Sequence, residues 1–154
     1  MDGRIRGTVV EPHEAVYTIG IAASRIGVSP ETLRLYERKG LIIPYRTETA
    51  RRLYSEKDLE WIACIRRQIR EQKLNLAGIR RLLALIPCWE IKPCTVTKRE
   101  QCPASRTTDR PCWNVEETED RKSKDECRTC KVYLSAVKIE NCKKLSEMSV
   151  TPSP

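Results

Sequence analysis

The chain has 154 residues, 40% of them hydrophobic, with no Phe and a net charge of +8, which suits one medium domain or two small ones with a modest core. The longest apolar run is far too short to cross a bilayer, and the opening MDGRIRGTVVEPHEA lacks the apolar stretch of a secretory leader, so a cytoplasmic protein with no membrane partner is expected. The basic excess is uneven: residues 1–87 carry 16 Lys and Arg against 10 Asp and Glu, which puts a surface suited to phosphates in the front half.

Residues 1–16 read as a flexible arm. The ordered pattern starts at YTIGIAASRIGVSPETLRLYERKGLI. Thr18 can cap a first short helix with Ile19, Ala22, Ala23 and Ile26 inward, and Gly27 breaks it. Ser29 is a good N-cap for a second helix, Pro30 suits its first position, Glu31 suits the helix dipole, and Gly40 ends it. Two short helices joined by a Gly-containing turn predict a helix-turn-helix. Arg34 and Arg38 are four apart and share one face of the second helix, while Leu33 and Tyr36 turn toward the core.

Pro44 stops the helical pattern, and PYRTETARRLY has room for two short strands around a turn, a wing. Ser55, with Asp58 three residues on, starts a third helix with a capping box and an apolar stripe of Leu59, Ile62, Ile65 and Ile69. Cys64 falls in or beside the core. Asn75 can cap a last helix with Leu76, Ile79, Leu82, Leu83 and Ile86 inward, ended by Pro87. Arg66, Arg67, Arg80 and Arg81 read as solvated faces.

Three stretches in this order, YTIGIAASRIGVSPETLRLYERKGLI, RRLYSEKDLEWI and NLAGIRRLL, resemble the DNA-binding domain of MerR-type regulators, in particular the heat-shock repressor branch, over residues 17–86. The resemblance implies a winged helix-turn-helix whose second helix enters the major groove, with Arg51 and Arg52 in the wing and Tyr54 at its end. In this sequence TARRLY stands where the family often has a glycine-aromatic pair before its arginine. Phosphate contacts fix register and base contacts carry sequence information. Arg34 and Arg38 are therefore candidates on the recognition helix, Tyr36, Arg51 and Arg52 are candidates for phosphates, with the body of Tyr36 also able to serve the core, and Tyr54 is a candidate for the backbone or for packing beneath it. The family also implies a homodimer on a palindromic double-stranded operator, usually joined by a long helix after the DNA-binding domain. Pro87 interrupts the place where such a helix starts, and residues 128–148 could supply a shorter one. RNA polymerase is a candidate further partner.

One cysteine precedes Pro87 and seven follow it, spaced C-x5-C-x7-C-x9-C-x14-C-x2-C-x11-C. In a reducing compartment such clusters serve metal binding or redox sensing more often than structural disulfides. The only histidine is His13, in the arm, so the donor set is sulfur-rich. Lys131 follows the CRTC pair, which excludes a c-type haem attachment. Cysteine-only zinc sites usually pair two short knuckles, and this chain has one. Iron–sulfur clusters accept thiolates from separate loops. An iron–sulfur cluster is the leading expectation, Zn2+ the alternative, and a thiol/disulfide or purely structural role the third. Cys88 and Cys112, from the repeated Pro-Cys-Trp, and Cys127 and Cys130, from the knuckle, are the expected ligands. Cys94 and Cys102 are substitutes, and Cys142 is expected to pack on a helix. The stretch also resembles the cysteine-rich two-CW modules attached to some bacterial and archaeal signalling proteins.

The expected architecture is mainly α. An arm (1–16) precedes a winged helix-turn-helix domain (17–87), a cysteine-rich metal-stapled module (88–148) and a disordered tail (149–154). Paired catalytic carboxylates, a phosphate-binding glycine loop and a Ser–His or Cys–His pair are missing from the sequence, so no enzyme activity is expected. The expected function is a sequence-specific transcriptional regulator controlled by its cysteine site. The alternative is a regulator whose structural zinc module serves protein interaction or dimerisation.

Overall fold

A computed structural model describes residue 11 and residues 13–92, 100–115 and 124–137. Strand β1 (Tyr17–Thr18) leads directly into α1 (Ile19–Ile26), whose first turn is capped by the Thr18 hydroxyl. Gly27 closes α1 in the left-handed region at φ 80°, with its N–H on the Ala23 carbonyl. Arg66 then donates to the Ile26 and Gly27 carbonyls at 2.7 and 3.0 Å. Arg66 is thus a helix-end cap and not the solvated side chain that its position suggests. Helix α2 (Pro30–Arg38) takes its cap from Ser29. Helix α3 (Glu56–Glu71) has the reciprocal Ser55–Asp58 capping box, and α4 (Leu76–Ala84) is capped by Asn75. Each start follows from a short polar side chain accepting an otherwise unpaired helix N–H.

Strands β2 (Tyr45–Arg46) and β3 (Arg52–Tyr54) form the wing, joined by a turn in which Ala50 has φ 61°. The sheet has a third strand that the sequence pattern hides, because β1 is only two residues long. The order is β1-β3-β2, antiparallel throughout, with Tyr17 opposite Tyr54 and Arg46 opposite Arg52. Helix α4 ends at Ala84 with Leu85 as its cap, short of Pro87.

The loops expected between the cysteines contain helical turns at Cys88–Ile91, Pro103–Arg106 and Cys112–Asn114, and beyond them lie Lys124–Arg128 and α5 (Lys131–Ala136). Trp113, Val132, Tyr133 and Ala136 belong to the same buried cluster as Leu33, Leu41, Trp61, Ile62 and Ile79. The compositional boundary at 87/88 is therefore crossed by one continuous core. Val132, Tyr133 and Ala136 are the buried face of α5. The described part of the 128–148 segment thus packs this face on its own chain, while Leu134 is 41% exposed. The expected arm apart from 11 and 13–16, the segment 138–148 and the tail lie outside the described residues.

The two halves meet on Gly40–Pro44, the link from α2 to β2. All five residues are buried, yet none lies in a helix or strand. Gly40 ends α2 at φ 75°, with the Gly40 N–H on the Glu37 carbonyl and the Leu41 N–H on the Tyr36 carbonyl, a Schellman closure. Four further backbone groups are met by side chains. Trp113 Nε1 donates to the Gly40 carbonyl at 2.6 Å, and Trp61 Nε1 donates to the Leu41 carbonyl at 3.0 Å. Arg128 donates to the Ile43 carbonyl, and the Ile43 N–H donates to the Tyr133 hydroxyl at 2.9 Å. Trp113 and Tyr133 meet edge to face, with ring centroids 5.1 Å apart.

Gly40 is constrained twice. Its φ is one that L side chains avoid, and a Cβ there would stand 2.7 Å from Asn114 Cγ. Gly40→Ala is therefore expected to lower the unfolding free energy by about 1–3 kcal/mol, measured as a reduced urea midpoint. A midpoint equal to wild type would show that Asn114 does not press on this turn.

Candidate nucleic-acid interface and cysteine cluster

Helix α2 and the wing carry the basic side chains picked out from sequence. Arg38 and Arg51 are exposed. Arg34 is 37% exposed and pairs with Glu31 one turn earlier on the same helix. Exposed pairs of this kind are worth little, so Arg34 can exchange Glu31 for another acceptor at small cost.

Glu37 is the organising residue that sequence spacing did not single out. One carboxylate oxygen accepts from Arg46 Nη2 in β2 and the other from Arg52 Nε in β3. The carboxylate is 20% exposed. One side chain of α2 thus holds both wing strands, and Arg52, expected to reach phosphate, is committed to positioning the wing. The signal was an acid beside basic residues in the last turn of a helix that precedes an arginine-rich hairpin.

Tyr36 and Tyr54 are buried, at 4% and 0% exposure, which is the packing alternative of the two and not the phosphate contact. Both rings are core, and neither stands on the surface with Arg38 and Arg51. Burial pushes the Tyr54 hydroxyl up to about 12, with the Glu37 carboxylate adding to the rise.

A second charged contact spans the chain. Arg128 grips Asp58 in bidentate fashion, at 2.7 and 3.1 Å, with the two side chains 12% and 11% exposed. Asp58 simultaneously accepts from the Ser55 N–H at 2.7 Å. The capping box of α3 is therefore also the anchor for the CRTC knuckle.

The cysteines expected as ligands come from three separate elements. Cys88 opens the turn after Pro87, and Cys112 opens the turn that carries Trp113. Cys127 and Cys130 are joined by a hydrogen bond of 3.1 Å from the Cys130 N–H to the Cys127 carbonyl, and Cys130 stands at the start of α5. The Cys88–Ile91 turn packs against α5. All four cysteines are half-buried and rest against the shared core. Burial pushes the Cys112 thiol up to about 12, and the nearby thiols of Cys88, Cys130 and Cys127 act in the same direction. A thiol so placed keeps its proton at neutral pH and is a weak nucleophile. A cation among the four sulfurs would reverse both effects.

The donor set fits a thiophilic metal in its chemistry. Among the described residues, however, no group of three or more His, Cys, Asp or Glu side chains stands in an arrangement that could hold an ion as it is. Cys102 precedes a separate turn, where its carbonyl accepts from Ser105, and nothing joins it to the four. Cys94 and Cys142 lie outside the described residues. Cys64 is buried in the core of the front half, at 2% exposure. Among the described residues, no helix is long and apolar enough to cross a membrane.

Comparison with known proteins bears on the winged helix-turn-helix. The family described as MerR HTH family regulatory protein matches residues 17–86. A Streptomyces coelicolor chain named for heat shock protein HspR is 40% identical over 86 residues, covering 55% of this chain and 57% of that one. The mercuric resistance operon regulatory protein of Bacillus cereus is 39% identical over 77 residues, 49% of this chain and 58% of its own. An HTH-type transcriptional regulator of Haemophilus influenzae is 30% identical over 101 residues, 65% of this chain and 72% of its own. The chain thus spans a little over half the length of the first two relatives. No solved structure matches it.

Glu37→Gln keeps the shape of the side chain but halves its capacity to hold two guanidinium groups. It is expected to lower the urea midpoint by an amount equivalent to about 0.5–1 kcal/mol, the range for partly exposed ion pairs. An unchanged midpoint would mean that the wing is held by its strand pairing alone.

Proposed function

Because the chain belongs to the MerR helix-turn-helix family of regulatory proteins, we propose that it is a sequence-specific DNA-binding transcriptional regulator governed by a four-cysteine metal centre. Two copies bind a palindromic operator, each presenting α2 to the major groove and the wing to the flanking backbone. The observation that carries the DNA part is the exposure of Arg38 and Arg51, with Arg34 beside them, on a helix and a hairpin locked together by Glu37. Arg34 reads base edges, Arg38 and Arg51 neutralise phosphates, and Arg52 sets the angle of the wing.

Cys88, Cys112, Cys127 and Cys130 would hold the metal. The support is the proximity of the Cys88, Cys127 and Cys130 thiols to that of Cys112, brought there from separate elements. An iron–sulfur cluster, the reading favoured by the wide ligand spacing, would supply redox or oxygen sensitivity. The chain's own contribution is to shield the site with Trp113 and α5 and to tie it to the winged helix-turn-helix through Arg128.

Two measurements test this. Arg34→Ala should relax sequence preference by about 1–3 kcal/mol at one operator position, whereas Arg51→Ala should weaken all sequences evenly and lower the salt slope by about one. Wild-type discrimination in the Arg34 variant would remove α2 from the groove. Anaerobically purified protein should be brown and contain iron and acid-labile sulfide, and Cys112→Ser should lose both. Colourless protein with one zinc per chain would replace the cluster with a structural metal. No bound metal of either kind would overturn the centre.

A further inference from the structure

The four cysteines and the link from α2 to β2 are connected by side chains that lie next to the cysteines in sequence. Trp113 follows Cys112, Arg128 follows Cys127, and Tyr133 lies one turn into the helix that starts after Cys130. All three end on the same short stretch of backbone. Trp113 reaches the Gly40 carbonyl, Arg128 the Ile43 carbonyl, and Tyr133 the Ile43 N–H. These bonds span 73, 85 and 90 residues of sequence.

We propose that Trp113, Arg128 and Tyr133 are positioning residues that transmit the ligation state of the four-cysteine site to the hinge between the recognition helix and the wing. The inference rests on the metal-centre reading and gives it a route to DNA within one chain. A metal held by Cys112, Cys127 and Cys130 would fix the Cys112 turn and the Cys127–Cys130 knuckle relative to each other, and its loss would release them. Trp113 and Arg128, one residue from their cysteines, move with them. Their partners at Gly40 and Ile43 are buried and closely packed, with Asn114 against Gly40. A shift there cannot be absorbed by solvent and passes into the backbone.

That backbone enters β2 at Tyr45, and the Lys124–Arg128 segment also packs against β2. Arg46 of β2 shares Glu37 with Arg52. Movement at Ile43 therefore changes the angle between α2 and the wing, and with it the fit to an operator whose groove and flanking phosphates must be met together. The segment is also lined by a cavity of about 330 Å3 between Glu37, Ile43, Arg46, Arg52 and Trp113, which gives the wing room to rotate.

The test uses the full chain in three anaerobic forms: metal-free, loaded with Zn2+, and reconstituted with iron and sulfide. Amide hydrogen exchange and operator affinity are measured on each. Loading is expected to slow exchange of residues 40–46 and to change operator affinity, each by about tenfold, while exchange in the middle of α3 stays the same. Trp113→Phe keeps an aromatic ring, smaller than the indole, and removes the donor to Gly40. It should load metal to the wild-type stoichiometry but lose most of the affinity difference between loaded and metal-free protein. Arg128→Lys, which keeps the charge and loses the bidentate fork, should do the same.

Metal loading that leaves exchange at 40–46 unchanged in the wild-type chain overturns the coupling even if neither variant folds. So does a Trp113→Phe protein with the wild-type affinity difference. If neither metal loads, the metal-centre reading fails first and the coupling falls with it, an outcome separable from the others by metal content alone.

Discussion

Five buried residues between α2 and β2 have no secondary structure to satisfy their backbone. An unpaired buried carbonyl or N–H costs about 1–3 kcal/mol, and Gly40–Pro44 would carry several. Four are met by side chains, and of the four side chains only Trp61 comes from the front half. Trp113, Arg128 and Tyr133 come from the cysteine module. The winged helix-turn-helix of this chain is therefore incomplete without its C-terminal part. Apolar packing reinforces the dependence, since Leu41, Ile42 and Ile43 are all under 6% exposed.

The same economy shapes the DNA-facing side. Glu37 uses both carboxylate oxygens on the wing, and Asp58 serves both the α3 cap and Arg128. Residues that look like independent surface charges in sequence are shared anchors in the fold. Arg38 and Arg51 remain exposed, with the weakly paired Arg34 on the same helix as Arg38. Burial of Tyr36 and Tyr54 moves aromatic support beneath this surface and off it.

Local signals were readable in the sequence because they act within one helical turn. Thr18, Ser29, Ser55 with Asp58, and Asn75 each cap the helix assigned to them. Gly27 and Gly40 sit at positive φ where the pattern breaks. The turn chemistry of PYRTETARRLY gave the two wing strands, but not β1, whose two residues are too few for a period. What could not be read were pairings with no local period: Arg128 with Asp58, Trp113 with Gly40, and the double use of Glu37. One clue lay in the open. GLIIP is an apolar run after a helix stop that fits neither a helical nor a strand pattern, and such a run needs a cover from elsewhere in the chain.

The central claim is that the two halves, so different in composition, are one cooperative unit joined at Gly40–Pro44. Urea unfolding of the full chain, followed by far-UV circular dichroism and by amide protection of residues 40–46 and 126–137, tests it directly. The account predicts one transition with coincident midpoints for all three signals. Loss of protection at 126–137 at a clearly lower urea concentration, with 40–46 still protected, would contradict it.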